Sequence, residues 1–205
     1  MESQYDLDIP YQIEQFVCSD KAVAERLAGS RGESDTQRAA IGDELVFIQQ
    51  DNNTLEFTVY VDEALLSSVD DNAECELDNL CTVVEGASHA LCLLWHAHHD
   101  RQIRPIDLEL QAEIDKFMIL VDNQRSRVGR RDLHRRLFAN SRYVDEPGTE
   151  LFERYQTATK MASRYCQWLE TQFLKDDANE QLTQELARFY RLSGRAKFDR
   201  INQLH

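Results

Sequence analysis

Residues Asp78 to Asp122 read DNLCTVVEGASHALCLLWHAHHDRQIRPIDLELQAEIDKFMILVD, and their periodicity decides the fold class. Behind Asp78, a residue suited to cap a helix, Leu80, Val83, Val84, Ala87, Leu91 and Leu94 recur at helical spacing on one stripe. The pattern predicts a helix to about His99. Gly86, Ala90 and Ala97 line a narrow stripe of small residues beside it, a surface on which a second helix could sit closely. Pro105 and Asp107 open the next helix, expected to reach about Asp122, with Ile106, Leu110, Ile114, Phe117, Leu120 and Val121 on one face. The link from Asp100 to Pro105 is short, so the two helices should form an antiparallel hairpin. A turn centred near Ile103 sets Glu113 level with residue 93.

Upstream, the period changes. In ELVFIQQDNNTLEFTVYVD, Leu45 and Phe47, then Leu55, Phe57, Val59 and Val61, alternate with other residues, and Asp51-Asn52-Asn53 supplies turn chemistry between the runs. This predicts a β-hairpin, which needs helices or another chain to lie against. Before it, CSDKAVAERLAG reads as a short helix capped by Ser19 and ended by Gly29, and the polar stretch SRGESDTQRAAIGD reads as a loop. Downstream, a long helix from Pro147-Gly148 to about Lys175 carries a core stripe of Leu151, Tyr155, Ala158, Ala162, Tyr165, Cys166, Leu169 and Phe173. Two shorter helices follow, the last starting near Ser193. The expected architecture is mainly α, an irregular bundle of about five or six helices with one β-hairpin in the N-terminal third. The whole chain, 1–205, is expected to form a single domain, with 1–75 an acidic N-terminal part and 76–205 the bundle.

A chain of 205 residues is long enough to bury roughly 70% of its unfolded surface without staples. No run approaches the roughly 20 apolar residues that span a bilayer, and MESQYDLDIP is neither basic nor apolar, so the expectation is a protein that contacts no membrane. Five cysteines without C-x-x-C spacing suit reduced thiols in a cytoplasmic setting. The net charge of −14 is uneven: residues 1–100 hold 21 acidic and four basic side chains. Such an acidic half disfavours nucleic acid as a partner. Seven arginines crowd NQRSRVGRRDLHRRLFANSR, within residues 125–142, but without interleaved aromatics or a recognition-helix motif. Their expected partner is the acidic half of the chain or an acidic protein.

The candidate chemistry lies on the helical hairpin. Glu85, His89, Cys92 and His96 share the side of the first helix opposite its main stripe, where a solvated polar face is the ordinary outcome. His98, His99 and Asp100 fall at the helix end, where the macrodipole favours histidine. Neither H-E-x-x-H nor a repeated Glu-x-x-His is present. Glu113 is the stronger conflict, a carboxylate within an apolar stripe flanked by Glu109 and Lys116. An i,i+3 pair with Lys116 satisfies it without a function; a buried hydrogen-bond network, or a metal or acid/base site with His89 or His96, would also do so.

Two functional expectations follow. The first is a non-enzymatic protein-interaction or regulatory protein that needs no cofactor, with a protein partner or a second copy paired through the hairpin. The alternative is a small metal-dependent hydrolase with a divalent cation on His89, His96, Glu113 and Glu85, in which Glu113, His89 and Lys116 are the candidate catalytic groups.

Overall fold

The computed structural model describes residues 1–29, 43–51, 54–70, 77–122, 127–139, 146–174, 179–192 and 194–204. The fold is mainly α with a small sheet in its N-terminal part. The helices are α1 (Glu2–Tyr5), α2 (Lys21–Gly29), α3 (Glu63–Asp70), α4 (Leu77–His98), α5 (Pro105–Asp122), α6 (Arg127–His134), α7 (Glu150–Gln172), α8 (Asn179–Tyr190) and α9 (Arg195–Asn202). A 3₁₀ turn spans Ile13–Phe16, and α6 continues into a π turn over Arg135–Ala139. No described helix is long and apolar enough to cross a membrane.

The hairpin forms as expected from β2 (Glu44–Asp51) and β3 (Thr54–Val61), paired antiparallel with Glu44 opposite Val61 and Val46 opposite Val59. Asn52 and Asn53 lie outside the described residues. A third, two-residue strand, β1 (Val17–Cys18), joins β3 in parallel, giving the order β1-β3-β2. Two residues are too few for periodicity to reveal. The period of two divides the sheet cleanly. Phe47 and Tyr60 pack on Ala24 of α2, while Val59 and Val61 meet Ala90 of α4 with Val46 and Phe57 beside them. Helix α2 is capped by Asp20, not Ser19: its carboxylate accepts from the backbone N–H of Ala22 at 2.8 Å and Val23 at 3.3 Å.

The small stripe of α4 therefore receives a sheet where the sequence suggested a helix. A Cβ on Gly86 would lie 2.6 Å from Cγ2 of Val61 and 3.4 Å from Cγ of Glu44, so glycine is what allows the strands to approach. With the sheet on one side and α5 on another, α4 is buried all round from Ser88 to His96. Helix α5 is packed between α4 and α7. The main core gathers Leu93, Leu110, Ile114, Phe117, Tyr165, Leu169 and Phe189 with their neighbours.

A chain of hydrogen bonds crosses this core. Asp115, fully buried, accepts from Tyr5 Oη, from Ser88 Oγ at 2.5 Å and from Gln111 Nε2 at 3.1 Å, and Gln111 Oε1 accepts from Lys197 Nζ at 2.8 Å. Four helices, α1, α4, α5 and α9, are joined by it. Because each member has a partner, the polar groups are tolerated in the interior.

Candidate metal centre

The α4–α5 hairpin brings a second polar cluster together beneath the sheet. Its register follows from the pairs Lys116 with Glu85, Ser88 with Asp115 and His89 with Glu109. These set Glu113 abreast of Glu85 to His89, more than a turn from the level of residue 93 expected from a turn at Ile103. The reason is the left-handed Asp100, φ 52°, which reverses the chain directly after α4 and moves the hairpin axis toward the N-terminus.

His89 stands one turn beyond Gly86, so the strands that press on Gly86 also close over the imidazole. Only 4% of the residue is exposed. Glu44 leaves β2 on the same side as Val46, and its Oε1 accepts a hydrogen bond from His89 Nδ1 at 3.0 Å. That bond fixes the tautomer and aims Nε2 inward. Nε2 lies 3.7 Å from Glu109 Oε2, too far for a hydrogen bond, and it is buried without a hydrogen-bond partner. Donor atoms of Glu85, His89 and Glu109 all lie within 4.8 Å of one another. Metal bonds of about 2.0–2.2 Å would bring such donors to roughly 3–3.5 Å separations, a contraction that side-chain rotation can supply.

Cations border the cluster. Lys116 Nζ lies 2.6 Å from Glu113 Oε1 and 3.1 Å from Glu85 Oε2, while Arg154 Nε of α7 lies 3.5 Å from Glu109 Oε1. Burial raises the Glu85 pKa, but Lys116 and then His89 outweigh it and hold the carboxyl below its usual value. Burial raises that of Glu113, against the pull of Lys116. Burial lowers that of His89, yet the Glu109, Glu44 and Glu85 carboxylates push it up to about 10. Without a metal, His89 is an imidazolium among carboxylates.

The sequence-predicted residues thus divide. Glu85 and His89 meet in the cluster, with Glu113 and Lys116 at its edge as an ion pair. The polar side of α4 is covered, because the sheet that covers it comes from a segment more than 20 residues upstream. His96 is elsewhere: 2% exposed, its Nδ1 donates to the Cys92 carbonyl at 2.8 Å, and burial lowers its pKa to about 4. His98, His99 and Asp100 form the exposed helix end that was expected. In the arginine segment, Arg135 pairs with Asp132 of the same helix and Arg130 donates to the Leu174 carbonyl at 2.9 Å. Neither of these partners lies in the acidic half, residues 1–100. Sequence reasoning missed Glu44 and Arg154, and treated Glu109 only as a neighbour of Glu113. The alternation that sets Glu44 in step with Val46 was the available signal for the first.

Comparison with known protein families, with curated proteins and with solved structures found no match.

Proposed function

We propose that the protein binds one divalent transition-metal ion through Glu85, His89 and Glu109, and that it acts as a metal-responsive regulatory protein of the cytoplasm. The observation that carries this reading is Nε2 of His89, buried without a hydrogen bond and facing Glu109 Oε2 at 3.7 Å, while Glu44 holds the other ring nitrogen. A carboxylate on the far nitrogen is the usual support for a metal-binding histidine. Charge agrees. Glu44, Glu85, Glu109 and Glu113 against Lys116 and Arg154 leave two negative charges when His89 gives its lone pair to a cation, and a divalent ion cancels them. One imidazole with two carboxylates suits zinc, manganese or iron(II) better than magnesium or copper(I).

A regulatory role is favoured by the enclosure of the donors, since the side chains of His89 and Glu109 are 5% and 9% exposed. The free thiols of Cys18, Cys81, Cys92 and Cys166 suit a reducing compartment. A protein partner, or a second copy, could pair along β2, an edge strand of the sheet; light scattering at tens of micromolar distinguishes a dimer from a monomer. The second reading is a hydrolase. Three protein donors leave a coordination position at which water could be activated.

Elemental analysis of untagged protein, followed by zinc and manganese titration of the metal-free form, tests the assignment. One ion per chain is expected, with affinity reduced at least tenfold in His89→Ala and Glu109→Gln. Substoichiometric metal together with binding that these substitutions leave unchanged would overturn it. Hydrolysis of p-nitrophenyl esters by the loaded protein, lost in Glu85→Gln, would move the reading to the hydrolase.

A further inference from the structure

The metal centre lies at a seam. Glu85 and His89 come from α4 and Glu109 from α5, but the group that orients His89 comes from the sheet. Glu44 is the first residue of β2, and beside it Val59 and Val61 rest on Gly86 and Ala90 of α4. The sheet and the metal donors therefore share one side chain, His89, whose two nitrogens face different parts of the fold. Resting on the metal reading above, we propose that cation binding and the docking of the β2–β3 hairpin on α4 are thermodynamically linked through Glu44.

The linkage follows from the chemistry of the ring. A divalent ion on Nε2 displaces the proton carried there in the metal-free protein and brings one more positive charge to the ring, so the attraction on the Glu44 carboxylate grows when the site fills. Conversely, the Glu44 carboxylate makes Nε2 a better ligand and holds it at the right angle. Outer-shell carboxylates of this kind are worth about 10–100-fold in metal affinity. Because coupling between two binding equilibria is reciprocal, the ion favours the docked hairpin by the same factor. Gly86 sets the clearance on which this depends: a methyl group there would meet Cγ2 of Val61 at 2.6 Å and lift the strands, and with them Glu44, away from His89. Glu44 is a positioning residue in this scheme, and Gly86 acts one step further back without touching the ion.

The test uses the full chain, stripped of metal and then titrated with zinc or manganese. Hydrogen exchange at the amides of β2 and β3 should slow by about 10–100-fold on metal addition, beyond any change at α7 or α8. Glu44→Gln should bind the ion 10–100-fold more weakly and lose that protection. Gly86→Ala should weaken metal binding although it replaces no donor. Removing the obstructing methyls, as Gly86→Ala with Val61→Ala, should restore affinity, which a merely misfolded variant would not do. Nitrogen-15 spectra of the histidines supply a direct signature: the Nδ1–H of His89 should be more strongly hydrogen-bonded in the loaded wild type than in Glu44→Gln, whose neutral amide oxygen is a weaker acceptor. If the wild type takes up no metal, the reading of the site fails and this proposal with it. If the wild type binds metal while strand exchange, Glu44→Gln affinity and Gly86→Ala affinity are all unchanged, the linkage alone is overturned.

Discussion

Replacing Lys116 with methionine removes the cation that sits between Glu85 and Glu113, at 3.1 Å and 2.6 Å, and keeps most of the side-chain volume. Breaking a buried pair by deleting one partner commonly costs about 3–5 kcal/mol, because the remaining charge is left without compensation. Here the loss has a ceiling. Glu85 retains His89 nearby, so the stranded group is Glu113, whose pKa burial already raises. It can escape by taking up a proton, which at pH 7 costs about 4 kcal/mol relative to the ionised glutamate of the unfolded chain and at pH 5.5 about 2 kcal/mol. A carboxyl whose folded pKa stands above its unfolded value destabilises more as pH rises, so the variant should recover part of its deficit in mild acid. Urea denaturation of metal-free wild type and Lys116→Met at the two pH values measures the difference directly. A loss below about 1 kcal/mol at pH 7, or one that does not shrink at pH 5.5, would refute the view that Lys116 neutralises an enclosed carboxylate.

His89 gives a slope of the same sign in a more alkaline window. Its folded pKa, about 10, stands above the unfolded value, so in the metal-free protein its ion pairs contribute fully below pH 6.5 and are lost as pH rises through about 10. Stability from thermal melts should fall across that window in wild type, on the order of 5 kcal/mol in all, and less in His89→Ala. Tyr5→Phe removes one donor from buried Asp115 and should cost about 1–3 kcal/mol by denaturant titration; a neutral result would mean that Ser88 and Gln111 satisfy the carboxylate unaided.

Helices α4, α5, α7, α8 and α9 and the hairpin were legible in the sequence because each repeats a period over several turns or alternations, whereas α6, in the arginine-rich segment, was not. The candidate site was only half legible. Glu85 and His89 stood out on α4, but a helical wheel cannot say that a sheet will cover the polar side, and that coverage depends on long-range register. Asp115 escaped notice for a related reason: its partners are Tyr5 and Ser88, 110 and 27 residues away, and only the packed core joins them. Glu113, singled out as the sharpest conflict, is answered by the nearest available cation, Lys116. Local conflict was a sound guide to the region and an incomplete one to the ligands.

Tyr5 closes the chain on itself. Besides its hydroxyl bond to Asp115, its ring packs at a tilt against Tyr190 with centroids 4.7 Å apart, and its carbonyl accepts from Arg191, 186 residues later. At about 5–20 residues per second, synthesis separates the two by roughly 10–40 seconds. During that interval α4 and α5 can already pair, while the socket for Tyr5 lacks its α8 wall. Completion of the core is thus a late, long-range event, and a destabilised α8 should show itself first as a loosened N-terminal turn.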